Sequence, residues 1–290
     1  MTSREVRLFM NNDSFENETS LALSVLQKLK EHLADCSDNY INISNESIQK
    51  LNSLKSKIVQ NKFSELHSRG PSEKNEKIKS LNTSIKTDVR LINNNSLRDT
   101  AVLGDGNLDA DIMFIGEAPG YEEEVQKKPF VGPSGKLLNR IITAMGMDRN
   151  HVYISNILKF RPKIGDGKQG RSNRKPSPEE IKSSMSYLLE EIKIISPKVV
   201  IILGGTAIEG LLAINDPISK VRGTVHSLEG AQAIATYHPS FLLRTNNEIS
   251  DKRKVWEDML LAMELLEMEI SDKQRAFLLN YSSLFCSSVS

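Results

Sequence analysis

Hydrophobic and polar residues are arranged in two different ways along this chain, and the change falls near residue 100. Beyond it, short continuous apolar runs, typical of buried strands, are separated by segments whose apolar residues recur at helical spacing. The runs predict strands at residues 112–115, 151–157, 198–203 and 232–236, and the periodic segments predict helices at 134–145, 178–195, from 206 onward and at 250–269. This order predicts an α/β fold with a central, mostly parallel four-stranded sheet flanked by helices, in an α/β/α arrangement.

Residues 1–95 have a different composition, rich in Asn, Ser, Lys and Glu and poor in apolar residues. Such composition favours disorder, except at residues 18–33 and 48–66, where apolar residues recur at helical spacing. We therefore predict a polar N-terminal extension with two amphipathic helices, partly disordered, that acts as a tether or as a docking arm for a protein partner. The folded domain is predicted to cover residues 96–270, and residues 271–290 are predicted to be a flexible tail.

Bulk composition excludes some classes of protein. A hydrophobic content of 39% is enough for one core, and the net charge of +1 indicates no particular partner. The sequence has neither a long apolar run nor a basic, apolar leader, so we expect a soluble cytoplasmic protein without membrane contact. Cys36 and Cys286 lie far apart in polar surroundings, which predicts free thiols and neither a disulfide nor a metal site.

The loop after the first predicted strand carries candidate chemistry. It contains carboxylates at Glu117, Glu122, Glu123 and Glu124 and an aromatic ring at Phe130. Its end, GPSGK, looks like a phosphate-binding loop, but Phe130 stands where glycine is required and Leu137 where a magnesium-binding hydroxyl is required. A dinucleotide-binding fingerprint fails as well, so this loop has another purpose.

Polar side chains also follow the other predicted strands. Asn156 ends the second strand, Thr206 follows a pair of glycines after the third, and His238 follows the fourth. Because the carboxyl ends of parallel strands meet at one edge of a sheet, we expect these residues to face one crevice together with Glu117 and Phe130. An aromatic face, an amide, an imidazole and a carboxylate suit a flat, polar heterocycle.

Several motifs together carry a family resemblance. They are GEAPG from Gly116, PFVGPSGKLL from Pro129, the asparagine of ISNILKFRP, NRKPSPEEI from Asn173, LGGTA from Leu203, RG at Arg222 and TYHPSFLLR from Thr236. Over residues 98–244 the chain resembles the uracil-DNA glycosylases, closest to the iron–sulfur type called family 4. The resemblance implies the fold of that superfamily and a monofunctional hydrolase of base-excision repair. Such an enzyme flips uracil out of single- or double-stranded DNA, hydrolyses its N-glycosidic bond and leaves an abasic site.

The resemblance also implies roles for the residues that would hold the base. Phe130 would stack on the flipped uracil, and Asn156 would read its N3–H and O4 edge. His238 would donate to O2 as negative charge develops there. Glu123 matches the position that crowds the 5-carbon of the base and so refuses thymine.

The remaining site residues implied by the resemblance lie on the first loop. Glu117 matches the glutamate associated with the hydrolytic water, which makes it a catalytic candidate beside His238. Gly116 and Ala118 complete the substrate-binding loop. Ala118 stands where the better-known glycosylases have a water-holding aspartate, so the water-positioning role is assigned to Glu117.

The chain departs from family 4 at the four cysteines that bind the family's [4Fe–4S] cluster. Val89, Ile92, Phe160 and Ser184 stand at those positions. These side chains cannot replace thiolate ligands, so we predict a protein without a cluster, a metal or another cofactor. Val89, Ile92 and Phe160 are expected to form a small apolar patch in the vacated space.

A second departure is an insertion at residues 163–172, within a stretch from 159 to 175 that has seven basic residues and one acid. It is interpreted as a mobile basic loop that contacts DNA phosphates, and the alternative is an ordinary solvated loop. The predicted DNA-binding residues are Lys136, Lys159, Arg161, Lys168, Arg171, Arg174, Ser240 and Arg244.

Two functions remain open from the sequence. The first is a uracil-DNA glycosylase. The second is a glycosylase-like protein that binds uracil-containing or modified DNA, with weak activity or activity on another base. The presence of Phe130, Asn156 and His238 together favours the enzyme.

Overall fold

The computed structural model describes residues 73–92, 94–245 and 248–279, all within the compact unit Gly70–Ser290. The helices predicted at 18–33 and 48–66 lie outside the described residues, as do Cys36 and Cys286. The role of the N-terminal extension as a docking arm therefore stays a prediction.

Helices and strands alternate as the sequence predicts. The helices are α1 (Glu73–Thr87), α2 (Val89–Ile92), α3 (Tyr121–Gln126), α4 (Pro133–Ala144), α5 (Pro178–Ile195), α6 (Gly205–Leu212), α7 (Ile218–Val221), α8 (Pro239–Arg244), α9 (Ile249–Leu265) and α10 (Asp272–Leu279). The strands are β1 (Leu97–Ala101), β2 (Asp105–Gly106), β3 (Ile112–Gly116), β4 (Tyr153–Asn156), β5 (Phe160–Pro162), β6 (Val199–Leu203), β7 (Val225–Leu228) and β8 (Ala231–Thr236). The bounds of α5 are those predicted, because Ser177, Pro178 and Glu180 form a strong N-terminal cap.

The main sheet has the strand order β2-β4-β3-β6-β8-β7. Its centre, β4-β3-β6-β8, is parallel, which confirms the predicted mostly parallel four-stranded sheet. The short edge strands β2 and β7 pair antiparallel with β4 and β8 and were not predicted. A separate antiparallel pair, β1-β5, precedes the loop at residues 163–172.

Both faces of the sheet are covered. On one face Met113 and Ile202 pack with Leu188 and Ile192 of α5. On the other face Phe114 and Ile201 pack with residues of α4 and α9 such as Ile142, Met259 and Met263. Because strands buried on both faces must be apolar at successive positions, the continuous runs in the sequence are explained.

The folded domain begins earlier than predicted. Ile78, Leu81 and Ile85 of α1 are buried in the same hydrophobic cluster as α5. Lys74 Nζ donates a hydrogen bond to the carbonyl of Ile195, the last residue of α5, at 2.9 Å. The predicted boundary at residue 96 is therefore wrong, because α1 supplies part of the core.

The C-terminal region also differs from the prediction over its first residues. Residues 272–279 form α10 instead of a flexible tail. Trp256 Nε1 of α9 donates to the carbonyl of Gln274 at 2.9 Å, and Gln274 Nε2 donates to the carbonyl of Ala144 at 2.8 Å. These bonds attach α10 to α9 and α4. Among the described residues, no helix is long and apolar enough to cross a membrane.

Candidate active site

A cleft of about 910 Å³ opens at the carboxyl ends of the parallel strands. It is lined by the loop after β3, by Phe130, by Asn156 at the end of β4, by the 204–206 turn after β6 and by Tyr237 and His238 after β8. The structure thus brings the predicted base-contacting residues together at the predicted edge of the sheet. This is the position at which open parallel sheets bind their ligands.

Phe130 is held in an unusual backbone conformation. Its φ is 51°, in the left-handed region that a bulky residue rarely adopts, and its side chain is buried. Arg149 Nη1 donates to the Phe130 carbonyl at 3.1 Å. The absence of a side chain at Gly135 permits this arrangement, since a methyl group there would lie 2.0 Å from the Phe130 oxygen. The surroundings therefore fix the direction of the aromatic ring.

Gly116 forms the floor between the ring and the amide. A methyl group on Gly116 would lie 2.5 Å from Asn156 Oδ1 and 2.5 Å from Phe130 Cζ, so both groups approach the same point above the backbone. Asn156 pairs with Gly116 in the β3-β4 register and is buried. Only glycine leaves room for the two side chains at this position.

His238 is the N-cap residue of α8. Its Nδ1 accepts a hydrogen bond from the Ser240 backbone N–H at 3.1 Å and lies 2.8 Å from Ser240 Oγ. Burial, with a smaller contribution from the positive charge of Arg244, lowers the pKa of His238 to about 4, so the ring is neutral near pH 7. The ring centroid lies 5.6 Å from that of Phe130, with 34° between the planes.

Glu117 follows β3 directly and lines the cleft beside Ala118. Burial raises the pKa of its carboxyl group. A hydrogen bond from Thr206 and the positive charges of Lys175 and Arg244 oppose this rise. The carboxylate is thus partly desolvated and lies near two cations, an environment typical of catalytic groups.

Glu123 uses both carboxylate oxygens within the protein. Oε2 accepts from the N–H of Gly120 at 3.2 Å, and Oε1 accepts from Val131 at 3.0 Å and from Gly132 at 2.8 Å. The side chain lines the cleft. Its predicted contact with the 5-carbon of a base stays a prediction, and its observed contacts are all with backbone N–H groups.

The prediction that Lys159 and Arg161 bind DNA is wrong. Lys159 has no exposed surface and donates to Glu191 at 2.6 Å, to Ser155 Oγ and to the carbonyl of Asn156. Arg161 is 1% exposed and donates to Glu124 at 3.0 Å and to backbone carbonyls. Side chains that are buried and paired with carboxylates cannot reach a phosphate in solvent.

The other predicted DNA-binding residues are arranged differently. Arg174 is half-buried and forms an ion pair with Glu180, and it also donates to the carbonyls of Ser96 and Lys163. Its guanidinium group therefore serves the fold. Ser240 lies at the rim of the cleft. The side chains of Lys136, Lys168, Arg171 and Arg244 are exposed.

The loop at residues 163–172 is bonded to the domain at several points. Arg161 Nη2 donates to the carbonyls of Gly170 and Ser172, both at 2.8 Å. Gln169 Nε2 donates to the carbonyl of Pro162 at 2.9 Å, and Arg171 forms a 2.9 Å ion pair with Glu122 of α3. This bonding favours a held loop over the mobile loop predicted from its glycines.

Lys175 lines the cleft and was not predicted from the sequence, whereas the 204–206 turn was expected there and its contacts are now defined. Thr206 binds Glu117, and Lys175 lies close enough to influence it electrostatically. Gly204 has φ 94°, its N–H donates to the Thr236 carbonyl at 2.9 Å, and a methyl group on it would lie 3.0 Å from His238 Cβ. Gly204 and Thr206 both belong to the motif LGGTA, which placed this turn at the cleft.

At the positions that the family resemblance assigns to cluster ligands, the described side chains do not fit an iron–sulfur cluster. Phe160 is buried, and Ser184 Oγ is buried without a hydrogen-bond partner. Val89 is 64% exposed, so its predicted place in an apolar patch is wrong. The side chain of Ile92 lies outside the described residues. A phenyl ring and a hydroxyl group are not ligands for such a cluster, which requires thiolates.

A parallel α/β sheet whose strand ends gather a phenyl ring, an amide, an imidazole and a carboxylate has the ligand-binding cleft typical of an enzyme. Residues 103–260 match the model of the uracil DNA glycosylase superfamily. The chain belongs to this superfamily, and it is a hydrolase.

Similar proteins include several type-4 uracil-DNA glycosylases. The Thermotoga maritima protein is 41% identical over 175 residues, which cover 59% of this chain and 86% of that protein. The Archaeoglobus fulgidus protein is 39% identical over 150 residues, covering 49% of this chain and 71% of that protein. The Saccharolobus solfataricus protein is 40% identical over 155 residues, covering 50% of this chain and 68% of that protein.

Proposed function

We propose that this protein is a monofunctional uracil-DNA glycosylase, which hydrolyses the N-glycosidic bond of uracil in DNA and leaves an abasic site for base-excision repair. The observation that carries the proposal is that Phe130 and Asn156 approach each other above Gly116, while the ring centroid of His238 lies 5.6 Å from that of Phe130. The names of the similar proteins agree with this activity.

The base must leave the duplex to reach this cleft. A base stacked in DNA is inaccessible, and enzymes of this kind flip it out at a cost of a few kcal/mol. In the cleft the Phe130 ring offers a stacking face, and the Asn156 amide offers one donor and one acceptor for the N3–H and O4 edge of uracil. Gly116 leaves room for both groups above the same point of the backbone, so the ring and the amide can contact one base together.

His238 stabilises the departing base. When the bond between C1′ of the sugar and N1 of uracil breaks, its electron pair leaves with the base and negative charge develops on O2. A neutral imidazole whose Nδ1 is an acceptor carries its proton on Nε2, and this N–H donates to O2. One such donor contributes about 3–4 kcal/mol of transition-state stabilisation.

Glu117 acts on the sugar side of the reaction. Its carboxylate favours the cationic character that develops on the ring and orients a water molecule toward C1′. The water oxygen bonds to C1′, and Glu117 accepts the proton that the water loses. Burial raises the pKa of Glu117, and the hydrogen bond from Thr206 and the nearby cations oppose that rise, which favours the ionised carboxylate.

Exposed cations contact the DNA backbone, and one of them, Arg244, lines the cleft. Lys136, Lys168, Arg171 and Arg244 are the candidates that remain from the sequence prediction. Their positive charges would release counterions from DNA, so binding is expected to weaken as salt increases.

The protein is proposed to work without an iron–sulfur cluster. The support is the chemistry of Phe160 and Ser184, which cannot act as cluster ligands, and none of the mechanistic steps above needs a metal. Purified protein is expected to be colourless. A brown sample with absorbance near about 400 nm, the usual iron–sulfur band, would contradict this.

An excision assay tests the activity. Oligonucleotides containing single-stranded U, U:A, U:G, hypoxanthine or T:G are incubated with protein and then treated with alkali, which cleaves abasic sites. We expect cleavage of the uracil substrates and little cleavage of T:G. Binding of uracil-containing DNA without cleavage above an Asn156→Ala control would support a DNA-binding protein instead, and cleavage restricted to another base would indicate a different substrate.

A further inference from the structure

We infer that Glu123 is a positioning residue that holds the stacking ring of Phe130 in place for the base. The inference rests on the proposed function, because it names a residue that acts in uracil excision through Phe130. It differs from the role implied by the family resemblance, in which Glu123 excludes thymine by steric contact.

The contacts of Glu123 join two separate parts of the site. Oε2 binds the N–H of Gly120, at the start of α3, and Oε1 binds the N–H groups of Val131 and Gly132, which follow Phe130 directly. A carboxylate suits this position because it only accepts hydrogen bonds and has two oxygens to offer. Glu123 thus fastens the segment that carries the ring to the loop that follows β3.

Both glycines at the ends of this link make room for the carboxylate. A methyl group on Gly120 would lie 2.8 Å from Glu123 Oε2, and one on Gly132 would lie 3.2 Å from Oε1. A side chain at either position would push the carboxylate away from the backbone N–H groups that it accepts from.

Phe130 needs such a restraint. Its positive φ is unfavourable for a bulky residue and persists only where the surroundings determine it. Arg149 holds the carbonyl groups of Pro129 and Phe130 from one side, and Glu123 holds the next two N–H groups from the other. If the Glu123 contacts are removed, the strained conformation is free to relax and the ring leaves its position over Gly116.

A double-mutant cycle measures whether Glu123 acts through Phe130. The variants are Glu123→Ala, Glu123→Gln, Phe130→Ala and Glu123→Ala with Phe130→Ala, and the readout is the single-turnover rate on a uracil-containing oligonucleotide. Glu123→Ala is expected to slow excision by about tenfold or more, since it releases the ring that proximity and orientation depend on. Glu123→Gln, which keeps one acceptor oxygen, is expected to lie between.

The cycle has a definite outcome for each role. If Glu123 acts by positioning Phe130, adding Glu123→Ala to Phe130→Ala slows the reaction no further, and T:G remains uncleaved in every variant. Losses that multiply, or a gain of T:G cleavage in Glu123→Ala, would overturn the inference while leaving uracil excision by the unmodified protein intact. A lack of excision by the unmodified protein would instead count against the proposed function.

Amide hydrogen exchange tests the same inference without relying on activity. In the unmodified protein the N–H groups of Val131 and Gly132 are expected to be protected, and Glu123→Ala is expected to raise their exchange rates. Protection of the β3 amides serves as the control for folding and should not change. Unchanged exchange at Val131 and Gly132 would show that Glu123 does not restrain this segment.

Discussion

The backbone N–H of Ser240 donates a hydrogen bond to Nδ1 of His238 at 3.1 Å. An imidazole nitrogen that accepts from an N–H must present its lone pair, so the ring proton resides on Nε2. The start of α8 therefore selects the tautomer that can donate into the cleft. This selection precedes any contact with DNA, and a donor fixed in advance needs no reorganisation during the reaction.

Replacement of His238 is expected to reduce the rate of the chemical step strongly. In His238→Ala the donor to O2 is lost, and the single-turnover excision rate should fall by about 10²–10³-fold. Ser240→Ala is the matched control, because it removes the Oγ contact and keeps the backbone donor that sets the tautomer. A loss in Ser240→Ala as large as that in His238→Ala would show that the backbone bond does not fix the ring.

The activity is expected to fall on the acid side as Glu117 becomes protonated. Since burial raises the pKa of Glu117, this decrease begins at a higher pH than for an ordinary glutamate. Protonation of His238, with a pKa of about 4, follows at lower pH. The measurement is kcat/KM for uracil excision as a function of pH.

Thr206 variants test whether protonation of Glu117 causes the loss of activity at low pH, the acidic limb of the pH profile. Thr206→Val removes a hydrogen bond that favours the ionised carboxylate, so the pKa of Glu117 should rise further and the limb should move to higher pH. Thr206→Ser retains a hydroxyl group and should leave the limb where it is. An unchanged limb in Thr206→Val would mean that another group controls the profile.

Lys159 is expected to affect stability, in contrast to the DNA-binding role predicted from the sequence. Its partner Glu191 is 1% exposed, so Lys159→Met leaves a buried carboxylate without its cation and should lower the free energy of unfolding by about 3–5 kcal/mol. Urea denaturation measures this change. Replacing both Lys159 and Glu191 by apolar residues should recover part of the lost free energy of unfolding. If Lys159→Met had normal stability and a weaker salt dependence of DNA binding, the structural role would be refuted.

Lys168 and Arg171 are expected to contact phosphates. If each neutralises one phosphate, its replacement by alanine should reduce the slope of log K against log salt by about 0.9 in magnitude. Lys198→Ala is the control, because Lys198 precedes β6 and lies at the amino end of the sheet, away from the cleft. Equal slopes for the unmodified protein and for both loop variants would exclude the contact.

Much of the central sheet could be predicted because buried parallel strands appear in the sequence as continuous apolar runs. Residues 112–115 and 199–203 are apolar at every position, since both faces of the sheet are covered. The edge strand β2 has two residues and carries no such signal. Helix α1 was missed because it buries only Ile78, Leu81 and Ile85 among many polar residues.

The residues proposed to contact the base could be predicted, and several supporting residues could not. The sequence places Phe130, Asn156 and His238 after strand ends or within recognisable motifs. Their position around one cleft could therefore be predicted. The burial of Lys159 depends on Glu191, which lies in α5 and is distant in sequence. A cluster of basic residues looks the same in sequence whether its charges face DNA or a buried carboxylate.

Helix α1 sets a lower limit on how short this protein can be made. The segment by which the superfamily is recognised begins at residue 103. A polypeptide cut there would lose Ile78, Leu81 and Ile85 of α1 from its interior, together with Leu91, Leu97 and Val102, and each buried side chain is worth about 1.5–3 kcal/mol. Losses of that size approach the whole stability of an ordinary domain. The shortest fragment expected to fold stably therefore starts at or before Glu73, well ahead of the residues that match the superfamily.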